Sequence, residues 1–238
     1  MQALKSQFRK AVKRTRSLLW STGVYGKLRM YPIQVRGRRF DARNGVNTAG
    51  RVDLGALDVK GRSAAHGNHY EAVDPKLFRK ILRALKIKYD DFVFVDFGSG
   101  MGRAILLAAE FPFRKVIGVE FSARLHAVAE GNIRRHAGRA RKCADVESVC
   151  IDAVEYTAPE APAVFFLYNP FKEAVLRSVL ANIRESLKQH PREVWLIYVN
   201  PELDHLVGGD GVLKKIDCGK TNAVSYTVYK SAGEAKAV

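Results

Sequence analysis

The residues of this 238-residue chain best placed to do chemistry are three carboxylates and a run of glycines. Asp96 lies two positions before the first glycine of Gly98-Ser99-Gly100-Met101-Gly102, Glu120 ends the following apolar segment, and Asp152 ends the next one. Glycines at such a turn let the backbone bend sharply and approach a ligand with no Cβ in the way, although a glycine turn can also serve packing alone. A carboxylate where Glu120 stands can accept both hydroxyls of a ribose, and one where Asp152 stands can reach an adenine amino group. Without such partners, three carboxylates at successive strand ends would each be costly.

The spacing discriminates among nucleotides. A dinucleotide fingerprint reads G-x-G-x-x-G, with the pyrophosphate on the helix N-terminus. Here the run is D-F-G-S-G-M-G. The acid ahead of it disfavours a diphosphate and suits a ligand with a cationic amino group. No G-x-x-x-x-G-K-[ST] occurs, so nothing supports ATP in a phosphate-binding loop.

The elements that must position these residues alternate from residue 91 onward. Strands are expected over 92–97, 115–121, 148–152, 164–168 and 193–199, with helices at 104–110, 123–136 and 172–188 between them. Short continuous apolar runs of this kind mark buried parallel strands. The segments 212–217 and 223–230 read as a closing hairpin around Gly219 and Asn222. An earlier helix over 75–86 takes Asp74 as its cap and Pro75 as its first residue. The fold class is α/β: a Rossmann-like, doubly wound, mostly parallel seven-stranded sheet ending in an antiparallel hairpin, with a basic helical N-terminal extension. There are no internal repeats.

Charge divides the chain unevenly. Of 40 Lys and Arg, eleven fall in residues 1–40 with no acid among them, which leaves 29 basic against 24 acidic residues in the rest of a chain whose net charge is +16. The expected division is a basic extension (1–40), a lid or entrance loop with the first helix (41–90), and a catalytic core (91–238). Residues 3–19 form a basic amphipathic helix candidate. It could pack on the body, dock on RNA, a ribosome or an anionic surface, or act as a transit peptide. The Gly- and Asn-rich run 41–69 is too long for a casual connection and reads as a lid. The three cysteines, none in a C-x-x-C, rule out a disulfide framework and argue against zinc. No metal is read from the histidines, and His66 and His69 in the loop are as ordinary as surface residues. No apolar run is long enough to span a bilayer, and the expectation is a reduced, cytoplasmic protein.

The chain resembles the class I S-adenosylmethionine-dependent methyltransferases over residues 66–230, through D-x-G-S-G-x-G-R, V-I-G-V-E-F-S and I-D-A in that order. The stretch 70–102, with a Tyr-Glu pair ahead of a helix and F-V-D-F-G-S-G, further resembles the branch holding the Dot1-type lysine methyltransferases and their bacterial relatives. The resemblance implies S-adenosyl-L-methionine as cofactor and S-adenosyl-L-homocysteine as product. It implies that Gly98, Ser99, Gly100 and Gly102 line the methionine and ribose part, with Asp96 beneath the amino group. Glu120 would hold the ribose hydroxyls, Phe121 flank the adenine, and Asp152 and Ala153 meet its amino edge. Tyr70 would close over the methionine end, or else pack on the first helix.

Asn169-Pro170-Phe171, after the fourth core strand, resembles the [N/D]-P-P-[Y/F] of family members acting on planar nitrogens, with one proline missing. An Asn side chain and a proline-fixed carbonyl can accept the two N–H bonds of an amine and aim its lone pair at the methyl. Phe171 can pack against the substrate or the sulfonium. The same residues could instead cap the following helix, Asn169 at the cap and Pro170 at its first position. The expected activity is methyl transfer to a nitrogen of a protein side chain or other amine by in-line displacement. The alternatives are an RNA methyltransferase that uses the basic arm to bind substrate, and a non-catalytic nucleotide-binding scaffold.

Overall fold

The computed structural model describes residues 24–52, 70–136, 141–209, 211–221 and 223–231. The helix expected at 3–19, His66, His69 and much of the 41–69 run lie outside them. In chain order the elements are α1 (Val24–Asn44), β1 (Arg51–Val52), β2 (Tyr70–Glu71), α2 (Pro75–Ala84), β3 (Val93–Phe97), α3 (Arg103–Ala108), β4 (Lys115–Glu120) and α4 (Ala123–His136). There follow β5 (Val146–Cys150), β6 (Ala163–Tyr168), α5 (Glu173–Gln189), β7 (Val194–Val199), β8 (Leu213–Lys220) and β9 (Ser225–Ser231).

Seven strands make one sheet in the order β5-β4-β3-β6-β7-β9-β8. The first five positions are parallel, and β9 runs antiparallel between β7 and β8. This is the doubly wound sheet with a terminal hairpin that the alternating runs imply. Every residue of β3 and β7 is buried, because helices cover both faces and neither side of these strands needs to be polar. The period of two sorts their side chains. Phe94, Val116, Val164, Phe166 and Ile197 join α2 and α3 in one core cluster, while Val95, Phe97, Val119, Phe165, Leu167 and Tyr198 join α5 in the other.

Helix α2 starts as its sequence dictates. Asp74 accepts from Lys76 N, Pro75 follows, and Leu77, Phe78, Ile81 and Leu82 are buried. It ends at Ala84, short of Lys86, because Leu85 is extended at φ −69°, ψ 114°. The third core strand is displaced as well: β5 ends at Cys150, so Asp152 stands in the turn beyond the strand rather than at its end.

Helix α1 departs most from the sequence reading. It runs unbroken through Pro32 and through residue 40, where the extension was divided from the lid. Ile33, Phe40 and Asp41 are buried against the body. Phe40 packs beneath the Arg79 and Arg103 guanidinium groups, at 5.8 and 5.2 Å from its ring centre. Arg36 forms a two-pronged pair with Asp74, at 2.9 and 2.6 Å. Part of the charge attributed to a separate arm is therefore built into the body. The apolar stripe of α1 is thin because its middle position is Gly37, where a Cβ would stand 2.8 Å from Arg103 Nη1.

Candidate active site

Strand β3 has β4 on one side and β6 on the other, so the chain winds away from it in both directions. The crevice outside the carboxyl ends of such strands is where open α/β sheets bind ligands. The glycine turn is stitched to the end of β4, since Gly98 N and Ser99 N both donate to Val119 O at 2.9 and 3.1 Å. That stitching brings Glu120 under the turn. Gly100 N donates to Glu120 Oε2 at 2.8 Å, and Ser122 N donates to Oε1 at 2.9 Å. Each carboxylate oxygen keeps further acceptor capacity for a hydroxyl. Burial pushes the Glu120 carboxyl up, opposed by the N–H bonds from Ser122, Gly100 and Phe121.

Asp96 is 4% exposed and receives no hydrogen bond on its carboxylate among the described residues. Burial, then the neighbouring Glu120 charge, holds it well above the usual carboxylate range. A buried carboxylate in this condition calls for a cationic partner. The Ser99 side chain is packed over Gly118 of β4, so this residue contributes backbone rather than hydroxyl to the turn.

Two glycines of the turn have no substitute. At Gly100 (φ +54°) a Cβ would stand 2.1 Å from Tyr70 Cδ2, because the Cδ2–Cε2 edge of the Tyr70 ring lies against the turn. Of the two roles open to Tyr70, the ring's place is on the glycine turn. Its hydroxyl donates to Thr48 O at 2.8 Å. At Gly98 (φ +74°) a Cβ would stand 2.6 Å from Pro170 Cβ. The loop after β6 thus rests directly on the cofactor turn.

A narrow, largely apolar slot opens beside Gly98, lined by Val119, Phe121, Ile151, Asp152, Ala153 and Phe171. It brings together the residues assigned to the adenine, with Asp152 Oδ1 held by Val154 N at 3.1 Å. It also gathers in Phe171, which is buried here, on the cofactor side, rather than in a separate acceptor pocket. Asn169 is left-handed at φ 40°, and its Oδ1 accepts from the Tyr198 hydroxyl at 3.1 Å. Helix α5 begins at Glu173 with Lys172 at the cap position. The capping alternative for Asn169 therefore does not hold.

The residues fit S-adenosylmethionine: the buried Asp96 carboxylate suits an amino group, Glu120 has lone pairs for two hydroxyls, and the slot pairs apolar walls with the Asp152 carboxylate, as an adenine would require. When bound, the cofactor supplies an activated methyl group on a sulfonium. Sequence reasoning missed Asp41, Thr48, Arg103, Asn132 and Tyr198. All act side chain to side chain or over long separations, except that Arg103 is visible as the last letter of the glycine motif. No group of His, Cys, Asp and Glu among the described residues could hold a metal ion. No helix among them is long and apolar enough to cross a membrane.

The family model of the histone methylation protein DOT1 matches residues 58–143, which span the glycine turn and Glu120. No curated protein matches the sequence. Among solved structures, yhhF of Escherichia coli, assigned to the methyltransferases, superposes with TM-score 0.54 at 14% identity, covering 78% of this chain and 100% of that one. SMU.472, also assigned as a methyltransferase and solved with S-adenosylhomocysteine, gives 0.51 at 13% identity, covering 68% of this chain and 53% of that one. A dimethyladenosine transferase from Plasmodium falciparum gives 0.50 at 15% identity, covering 69% and 64%. With this strand order and this glycine turn, the chain has the fold of the class I S-adenosylmethionine-dependent methyltransferases, and residues 58–143 resemble the DOT1 family.

Proposed function

We propose that the protein transfers the methyl group of S-adenosylmethionine to a nitrogen of a protein side chain or another amine. The observation that carries this reading is the seat of Asn169-Pro170-Phe171. Pro170 rests on Gly98 of the cofactor turn and Phe171 lines the adenine slot, so Asn169 is held next to the place where the methyl is presented. Tyr198 fixes the Asn169 amide. An Asn side chain and a backbone carbonyl accept the N–H bonds of an amine and turn its lone pair toward the methyl, which is positioning rather than acid–base chemistry. A neutral amine needs no strong base in an in-line displacement.

The Dot1 family match and the Glu71 carboxylate near Tyr168 support an amine over a polyanion. Glu71 and Asp74 lie close enough to Tyr168, the residue before Asn169, to raise its hydroxyl pKa, an effect second to burial. The test is incubation of source-cell lysate with radiolabelled S-adenosylmethionine and the purified protein. Label in protein or a small amine supports the proposal, and label confined to RNA overturns it in favour of the RNA reading.

A further inference from the structure

We propose that Asp41, on the last turn of α1, is a positioning residue for the cofactor lid, acting through Thr48 on Tyr70. The proposal rests on the reading of the crevice as an S-adenosylmethionine site and assigns part of that site to a segment that the Dot1 match does not cover.

The Asp41 carboxylate is buried and accepts Thr48 N at 2.8 Å, Thr48 Oγ1 at 2.6 Å and Ala49 N at 2.6 Å. The chain after α1 is therefore wrapped around one side chain, much as a loop is wrapped around an Asx turn but across a longer reach. The same carboxylate takes Arg103 Nη2 at 3.2 Å, and Arg103 Nε donates to the Thr48 hydroxyl. Arg103 is the first residue of α3, immediately after the last glycine of the turn. The loop is thereby referenced to the glycine turn from below. A second tie comes from α4: Asn132 accepts from Asn47 N at 2.9 Å and donates to Asn47 O and Met101 O at 2.8 and 2.9 Å.

The purpose of this arrangement is read from what the loop carries. The Thr48 carbonyl is the acceptor for the Tyr70 hydroxyl, and the Tyr70 ring lies on Gly100. A carboxylate serving only to neutralise Arg103 would need one or two bonds to it. Asp41 instead directs three of its bonds to the loop whose carbonyl sets the lid ring. Asp41 does not itself touch the crevice, so its effect on the cofactor passes through Thr48 and Tyr70.

The experiment is a double-mutant cycle on the full chain, with S-adenosylhomocysteine affinity measured by calorimetry for wild type, Asp41→Asn, Tyr70→Phe and the double variant. Losing one hydrogen bond to the ring weakens binding by about 3–10-fold in Tyr70→Phe, and Asp41→Asn by about 10-fold. If the two residues act along one chain of contacts, the double variant is within about twofold of Asp41→Asn alone. A double variant weakened by the product of the single effects makes Asp41 a counter-ion and overturns the proposal. Wild-type affinity in Asp41→Asn overturns it too. Should Asp41→Asn lose its folded circular-dichroism signature, Thr48→Val takes its place in the same cycle with the same criterion, since it removes only the hydroxyl and keeps the carbonyl. Failure of the wild-type protein to bind S-adenosylhomocysteine would refute the cofactor reading itself and the proposal with it.

Discussion

Replacing Gly100 by Ala puts the packing of Tyr70 against the cofactor turn to a quantitative test. The residue sits at φ +54°, and a Cβ there would come within 2.1 and 2.2 Å of Tyr70 Cδ2 and Cε2. Carbon atoms in contact sit about 3.5–4.0 Å apart, so the ring must retreat by more than an ångström. That retreat breaks the Tyr70 hydroxyl bond to Thr48 O, worth about 0.5–1.5 kcal/mol. The left-handed backbone adds a strain of about 1–2 kcal/mol for a residue with a Cβ. Together the loss is about 2–3 kcal/mol, or roughly 4–12 °C in Tm for a domain of this size. Thermal unfolding measures it directly, with S-adenosylhomocysteine titration alongside. In a Tyr70→Ala background the ring is gone, so Gly100→Ala should cost only the backbone strain, about 1–2 kcal/mol. An equal loss in both backgrounds, or a Gly100→Ala protein with wild-type Tm and affinity, would refute the packing argument.

Glu120→Ala should weaken S-adenosylmethionine binding by about 1–3 kcal/mol through lost charge-assisted bonds, read by calorimetry; unchanged affinity would remove it from the ribose site. Burial raises the Asp96 and Glu120 carboxyls, so in mildly acidic buffer the folded protein holds protons that the unfolded chain has released. Their contribution to stability therefore falls as pH rises from the ordinary carboxylate range through the raised one. A cofactor ammonium beside Asp96 favours the charged form, so binding should expel protons there, seen as a binding enthalpy that varies with buffer ionisation enthalpy; an invariant enthalpy would count against the Asp96 assignment. Asn169→Ala should leave cofactor affinity within about twofold and cut turnover on the labelled acceptor by about 100-fold, the scale of a misplaced reacting group. Asp74→Ala removes the α2 cap and the partner of Arg36 together and should cost about 2 kcal/mol in denaturant unfolding; a loss below half that would mean the pair contributes nothing.

The parts of the fold written in local pattern were readable from the chain. The runs at 92–97, 164–168 and 193–199 are continuous because their strands are covered on both faces, and Asp74-Pro75 announces α2 by cap chemistry alone. The glycine turn and Glu120 were legible for the same reason, being consecutive residues at a fixed place in a strand–turn–helix unit. Helix α1 was not, because its buried face is Ile33, Gly37 and Phe40 set among arginines, a stripe too thin for periodicity to register. Arg36 looks like one more surface cation until the fold brings Asp74 beside it, 38 residues away. Asp41 and Arg103 lie 62 residues apart and meet only in the folded chain, and the link from Tyr198 to Asn169 crosses between neighbouring strands. Pairs of this sort leave no periodic trace.

The burial of Arg103 beside Asp41 bears on where this chain can be cut. The DOT1 family match starts at residue 58, and an engineer trimming the chain to that border would keep the whole glycine motif. The trimmed protein would also keep a guanidinium that is 2% exposed and strip away its counter-ion, a loss on the order of 3–5 kcal/mol. The unit that folds therefore begins earlier than the segment that the family match recognises, and the difference between the two borders includes the length of chain needed to neutralise one interior arginine.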